Sequence, residues 1–242
     1  MAKYSSVAAI YVGTLNTPVR SIGTATRSWK VTLEAGALDQ TAVTDAGEKV
    51  LAGHRKDAFT WSGLFDDDAS VDALMGSMPT PLNIIGVFIG TATGSVGYSF
   101  VMTEVSVKPS AKLGELVAQE FVVSCGTGAI QLSKVLSHQW DTGTVTGTSG
   151  SVDGGAATTS GFTWYVFAHD VGTASTMNVR LLHSTSGTGT WESLTLYDLG
   201  TPGRGTGVYV LNLGSGTVYR YVRMEKQSTG TLLVSQMFTR QG

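Results

Sequence analysis

The sequence predicts a mainly β protein, and three observations support that prediction. Short apolar segments with strand-like patterning recur along nearly the whole chain. In the last third they are separated by Gly-rich turns, such as 186–189 and 214–216, at intervals of about ten residues, which is typical of a sandwich or barrel. Segments with helical periodicity are scarce. The 242 residues suffice for one large all-β domain or two smaller domains.

Strand signals fill most of the first half. Where apolar and polar residues alternate, as in 59–65, we expect a strand with one buried face. Where the apolar run is continuous, as in 82–89, we expect burial on both faces. The strands predicted in this half are Val7–Val12, Trp29–Glu34, Phe59–Phe65, Leu82–Ile89, Tyr98–Val107 and Leu116–Val123.

One α-helix is predicted over residues 68–78. Its apolar residues recur at spacings of three and four, which places them on one face. The acidic run 66–68 suits the positive end of the helix dipole, and Pro79 ends the helix. A second, weaker helical pattern lies between Asp39 and Gly53. The apolar stripe of the first helix consists of Val71, Leu74, Met75 and Met78.

The composition changes after Ser137, and this change predicts a domain boundary. Residues 141–161 are almost entirely Gly, Thr, Ser, Val and Ala, which indicates a linker or an edge strand with loops. We therefore expect two domains, 1–136 with one helix and 137–242 with strands only. The strands predicted in the second domain are Phe162–His169, Asn178–Ser184, Trp191–Tyr197, Gly207–Leu213, Val218–Lys226 and Thr231–Arg240.

The composition also argues against several classes of function. Charged residues make up 14% of the chain, against roughly 25% in typical soluble domains. The net charge of −2 offers no basic excess for gripping phosphates, although a channel that lets DNA slide needs none. No apolar run reaches the length of a membrane span. No nucleophile elbow, phosphate-binding loop or metal-ligand spacing of His and Cys occurs, so we expect no enzyme, cofactor or metal.

The first half resembles the tail tube proteins of bacteriophages. The residues that carry this resemblance are the strand Trp29–Glu34, the polar segment after it, and the run Val50–Asp66, followed by the predicted helix and its proline. The second half resembles the small immunoglobulin-like or jelly-roll-like sandwich often appended to such subunits. The resemblance there rests on Leu182–Ser184, Trp191–Leu194, Tyr219–Arg223, Thr229–Gly230 and Phe238–Arg240.

The resemblance implies the fold and role of a major tail tube subunit of a long-tailed phage. The fold would be a tail-tube-like β-sandwich or barrel with one helix, and the second domain would decorate the outside. As in that family, stacked hexameric rings would form a hollow tube through which viral DNA is ejected. An outer sandwich would crowd a contractile sheath, so we expect a non-contractile tail. The partners implied are further copies of this chain and other tail proteins: tape measure, terminator and baseplate or distal tail proteins. The location implied is the virion tail, after assembly in the host cytoplasm.

Two sets of residues are candidates for roles in such a tube. A long polar loop would contact the neighbouring ring, and acidic residues on inner strands would face the lumen and repel phosphates. The lumen candidates are Glu104 and Glu120, for which ordinary solvent-facing carboxylates are the alternative. The ring-stacking candidates are Asp39, Gln40, Asp45, Glu48, Lys49, His54, Arg55 and Lys56.

Two other functions remain open at this point. The chain could be another virion component, such as a head decoration or tail completion protein. It could instead be a carbohydrate-binding or adhesion module whose aromatic residues stack on sugars. The aromatic candidates, for which core or subunit contacts are the commoner role, are Trp140, Trp164, Tyr165 and Trp191.

Overall fold

The structure of the protein is a computed structural model. It describes residues 9–14, 18–23, 26–39, 50–55, 57–64, 84–102, 104–110, 118–124, 130–141, 147–171, 177–199, 206–228 and 232–241. Within these ranges every regular element is a strand and none is a helix, which confirms the mainly β prediction. The helix predicted over 68–78 lies outside the described residues.

Nineteen strands lie in the described ranges. In chain order they are β1 (Ala9–Gly13), β2 (Arg20–Ser21), β3 (Thr26–Thr32), β4 (Ala35–Asp39), β5 (Val50–Arg55), β6 (Ala58–Leu64), β7 (Ile84–Phe88), β8 (Val96–Val101), β9 (Glu104–Ser110), β10 (Ala118–Ser124), β11 (Gln131–Asp141), β12 (Gly147–Thr148), β13 (Val152–Asp153), β14 (Phe162–Val171), β15 (Met177–Ser184), β16 (Glu192–Asp198), β17 (Gly207–Leu213), β18 (Tyr221–Ser228) and β19 (Leu232–Arg240).

The structure differs from the sequence prediction in several elements. The strand expected over 98–107 is two strands, β8 and β9, and Met102 between them is buried. The weak helical pattern that ends at Gly53 is wrong for residues 50–53, because they belong to β5, which pairs with β4 in an antiparallel ribbon. Strand β11 was not predicted at all.

The chain divides into two compact units. Unit 1 combines Met1–Gly23, Ile84–Ser99 and Gln131–Gly242, and unit 2 combines Thr24–Asn83 and Phe100–Ile130. The boundary expected between residues 136 and 137 falls inside β11, in which residues 131–134 pair with β8 and residues 134–141 pair with β19. Residues 137–242 therefore share their main sheet with strands from the N-terminal half.

Unit 1 contains a sandwich of two sheets. The larger sheet has eight strands in the order β17-β14-β19-β11-β8-β7-β1-β2, and the smaller has the order β12-β18-β15-β16, with β13 also paired to β18. Alternate residues of β14, including Trp164, lie in a core shared with Val179 and Met224 of the smaller sheet. The Trp164 indole donates a hydrogen bond to Gln236 Oε1 at 3.0 Å, so this large ring is buried with its polar atom satisfied.

The eight-stranded sheet also curls on itself. The backbone N–H of Val208, at the start of β17, donates to the carbonyl of Thr14, just after β1, at 3.0 Å. The two strands lie far apart in the sheet order, so this bond brings distant parts of the sheet together. Aromatic residues fill the curled face: the Tyr11 and Phe88 ring centroids are 5.4 Å apart, and those of Phe88 and Phe167 are 5.8 Å apart.

Polar side chains share this curled interior and are hydrogen-bonded to one another. Tyr11 Oη lies 3.0 Å from His138 Nε2, and His169 Nε2 lies 2.8 Å from Ser235 Oγ. The Tyr11 and His169 rings are 4.5 Å apart. Burial lowers the pKa of His169 to about 4, with a smaller contribution from nearby His138. Burial also lowers the pKa of His138 and raises that of Tyr11, so all three groups are neutral at pH 7.

Replacing Gly86 with Ala should destabilise the curled sheet. A Cβ atom at Gly86 would lie 2.4 Å from Cζ of Phe167, whose ring is fully buried and cannot move away. We expect a loss of about 1–3 kcal/mol in the free energy of unfolding, measured by urea denaturation. Gly214→Ala is the matched control, because no atom lies within 4 Å of its added Cβ. Equal stability of the two variants would contradict the packing described for Phe167.

The protein should lose stability as the pH falls from 6.5 towards 4. In that range unfolded His169 binds a proton whereas the folded form, with a pKa of about 4, does not, so protonation favours unfolding. The expected contribution between pH 7.5 and pH 4.5 is about 2 kcal/mol.

The His169→Gln variant tests this assignment, because it cannot titrate. Urea denaturation at both pH values should show a smaller acid-induced loss in the variant than in the wild type. An identical loss in both proteins would mean that His169 is not the buried neutral group described.

Candidate assembly interface

Unit 2 contains a four-stranded sheet in the order β3-β6-β10-β9. Successive side chains along these strands point to opposite faces of the sheet. The apolar residues of one face are buried: Phe59 and Trp61 of β6, and Phe121 and Val123 of β10. The Trp61 and Phe121 rings stack with centroids 4.8 Å apart. The Trp61 indole donates to Thr26 Oγ1 at 2.7 Å, which ties β3 to the centre of the sheet.

The opposite face of this sheet is polar and accessible to solvent. Ser28, Lys30 and Ser106 are exposed, as is Glu120 on the central strand β10. Ser28 and Ser62 face each other in the register of β3 and β6, and their hydroxyl oxygens are 2.6 Å apart. This face, which we call the hydroxyl face, therefore combines serine hydroxyl groups with an exposed lysine and an exposed glutamate.

Both edges of the four-stranded sheet are open within the described residues. Strands β3 and β9 each pair with one neighbour only. A register shift between Thr26 and Ser28 makes Arg27 an extra, bulged residue in β3, and Pro109 in β9 lacks a backbone N–H. Bulges and prolines are typical of edge strands that resist unselective pairing with other chains. On β3 and β9 they limit the backbone positions at which a partner strand can form hydrogen bonds.

A buried carboxylate that the sequence did not single out supports the sheet. Asp57 lies just before β6 and is 2% exposed. Its Oδ2 accepts a hydrogen bond from the backbone N–H of Ile130 at 2.8 Å. This bond joins the start of β6 to the far end of the 100–130 segment within unit 2. A charged residue in a polar stretch gives no sequence signal of such burial.

The ring-stacking candidates lie on or beside a two-stranded ribbon. Asp39 ends β4 and pairs with Val50 in the register, while His54 and Arg55 lie in β5. These three residues therefore belong to strands rather than to the long loop that the resemblance implies. The remaining candidates, Gln40, Asp45, Glu48, Lys49 and Lys56, lie outside the described residues.

The two lumen candidates lie on neighbouring strands of the four-stranded sheet. Glu120 is exposed on the hydroxyl face, and Glu104 is the first residue of β9, where its register partner is Ser124. The register partner of Glu120 is Lys108, which the sequence analysis did not consider. The sheet thus offers a mixed rather than a purely acidic set of charges.

The proposed sugar-stacking aromatics do not form one platform. Trp164 and Tyr165 are buried in unit 1, and Trp191 is half-buried. The Arg223 guanidinium carbon lies 4.2 Å from the centre of the Trp191 ring, a cation–π contact. Trp140 is part of β11.

The described ranges hold no group of three or more His, Cys, Asp or Glu side chains placed to bind a metal ion. In the same ranges, no helix is long and apolar enough to span a membrane.

Comparisons with known proteins gave structural similarities only. No protein-family model and no curated protein matches the chain. Three solved structures illustrate the similarity. A chain from the virion of a gene transfer agent has a TM-score of 0.41 at 15% identity, covering 53% of this chain and 98% of that one.

A chain of the sheath–tube complex of an extracellular contractile injection system, PVC, has a TM-score of 0.39 at 12% identity, covering 54% of this chain and 91% of that one. The Dit protein of phage SPP1, from a hub adsorption apparatus, has a TM-score of 0.38 at 8% identity, covering 97% of this chain and 100% of that one. Identities and TM-scores this low assign neither a family nor a function.

Proposed function

We propose that this protein is a non-enzymatic structural subunit of a virion tail that assembles into stacked rings. The rings would be hexameric and would form the tube of a long, non-contractile tail, through which DNA is ejected. The observation that carries this proposal is the four-stranded sheet of unit 2. Among the residues that the structure describes, it has one buried apolar face, one hydrated face and two open edges.

The open edges support ring formation. When β3 of one copy pairs with β9 of the next, the contact joins two different surfaces of the chain. Repetition of such a head-to-tail contact generates a ring where the rotation closes, and closure leaves no edge unpaired. Six copies would then join their four-stranded sheets into one continuous wall.

The hydroxyl face suits the inside of a channel for DNA. A wall that carried many lysines and arginines would bind phosphates and slow the passage of the duplex. Here the face presents hydroxyl groups and charges of both signs, with exposed Lys30 on the same face as exposed Glu120, in a chain whose net charge is −2. Glu104 and Glu120 are the proposed lumen-facing acids, which would repel phosphates weakly.

The other roles follow from the resemblance stated above. The β4–β5 ribbon and the segment between its strands would contact the neighbouring ring through Asp39, His54, Arg55 and the candidates around them. Residues 137–242, as part of unit 1, would decorate the tube. The tape measure, terminator and distal tail proteins would be partners, and assembly would take place in the host cytoplasm.

Positive charges on both edge strands should block assembly. In the double variant Ser28→Lys/Ser106→Lys, each exposed serine on an edge strand becomes a lysine, so paired edges would bring like charges together. Analytical ultracentrifugation should show that the variant needs at least roughly tenfold higher concentration than the wild type to assemble, equivalent to about 1.4 kcal/mol per contact.

The matched control is Ser186→Lys/Ser215→Lys, which adds the same charge at two exposed turn positions away from the sheet edges. It should assemble like the wild type. If the edge variant also assembles like the wild type, β3 and β9 do not form the contact between subunits.

A further inference from the structure

Unit 1 contains a cleft of about 320 Å³ that none of the proposed assembly roles uses. Its floor is the middle of β11, and its walls are the turn between β7 and β8 and the segment around β12. A cleft of this size is at the small end of the range for small-molecule sites, roughly 300–1,000 Å³. The side chains that define its chemistry are Thr91, Thr93, Ser137, His138, Thr148 and Ser149.

The strand at the floor is irregular at this point. Against β19, the register of β11 shifts between Val135 and Ser137 and again between Ser137 and Trp140, so two bulges flank Ser137. Gln139 has a φ of +43°, a left-handed conformation that costs a non-glycine residue of order 1 kcal/mol. Bulges re-aim side chains and are frequent beside functional sites, where such strain is retained.

Hydrogen bonds of Gln139 and His138 fix the floor of the cleft. The Gln139 backbone N–H donates to Ser235 Oγ at 2.8 Å, and the same oxygen contacts His169 Nε2. His138 is fixed through its Nε2, which lies 3.0 Å from Tyr11 Oη. The cleft is therefore built on the hydrogen-bonded interior of the curled sheet rather than on a mobile loop.

One polar group in the cleft lacks a partner. Ser137 is 6% exposed, and its Oγ has no hydrogen-bond partner among the described residues. A buried hydroxyl without a partner costs about 1–3 kcal/mol, so this oxygen favours a ligand that supplies one. This unpartnered hydroxyl lies on Ser137, the cleft-lining residue between the two bulges of β11.

The lining chemistry identifies the class of ligand. None of the described lining residues carries a carboxylate, a lysine or an arginine, and burial lowers the pKa of His138, so its imidazole is neutral at pH 7. Phosphates, carboxylates and amines therefore find no opposite charge. Hydroxyl groups and a neutral imidazole both donate and accept hydrogen bonds, as the hydroxyl groups of a sugar do.

We propose that this cleft binds a neutral sugar residue above the bulged part of β11. The Ser137 hydroxyl group donates to the sugar, and the Thr93 hydroxyl, which donates its own proton to the Leu136 carbonyl at 3.3 Å, accepts from it. The ligand is a single hexose ring, either free or at the end of a glycan chain. Binding is a property of the folded chain and does not require assembly into rings.

Saturation-transfer NMR with the full chain tests this site. The probes are the methyl glycosides of glucose, galactose, mannose and N-acetylglucosamine, with inorganic phosphate as the charged comparison. At least one glycoside should give a saturation-transfer signal at millimolar concentration, and phosphate should not displace it. An oligosaccharide ending in the same residue should displace the glycoside if the cleft takes chain ends, whereas a free-sugar site should exclude it.

Two variants locate the binding, and a third is the control. Ser137→Ala and Thr93→Val should each weaken it about tenfold, the loss of one hydrogen bond. Ser137→Ala should match or exceed the thermal stability of the wild type, because it removes a buried hydroxyl that lacks a partner. Thr217→Ala, at an exposed position outside the cleft, should bind like the wild type. The proposal is overturned if no glycoside gives a signal, if phosphate displaces the glycoside, or if both cleft variants bind with unchanged affinity.

Discussion

The burial of both faces of the eight-stranded sheet is the constraint on which unit 1 depends. One face packs on the smaller sheet around Trp164, and the other curls around Tyr11, Phe88 and Phe167. The aromatic rings on the curled face need space that a side chain on another strand of the sheet would fill. This requirement explains why residue 86, which lies against the Phe167 ring, is a glycine. Burial on both faces also favours hydrogen-bond partners for the polar residues of the interior, as for Tyr11 and the two histidines, and Ser137 is an exception.

The four-stranded sheet of unit 2 differs from the eight-stranded sheet, because one of its faces is exposed to solvent. Here hydration comes from serine and threonine hydroxyl groups more than from charged side chains, in keeping with a chain that is only 14% charged. Such a face neither repels a neighbouring copy nor attracts phosphates strongly. Combined with open edges that carry a bulge and a proline, it permits selective pairing between copies while it discourages random aggregation.

Local pattern predicted much of this fold, and long-range pairing explains what it missed. Gly207–Leu213 was predicted with its observed bounds, because alternation and flanking glycines mark it clearly. Strand β11 was missed because it mixes Gln, Ser, Lys and His with apolar residues and contains two bulges, so no period of two survives. The division into units depends on the pairing of β8 with β11, which no local signal reveals. Glu120 could be assigned to a strand from sequence, but its exposed face and the open edges beside it required the sheet order.

Electron microscopy of the purified wild-type protein, in negative stain, tests the central claim most directly. The account predicts rings of uniform diameter with a central hole wide enough for duplex DNA, and tubes of the same diameter at higher concentration. Particles that remain dispersed monomers over the whole accessible concentration range, with neither rings nor tubes, would contradict it.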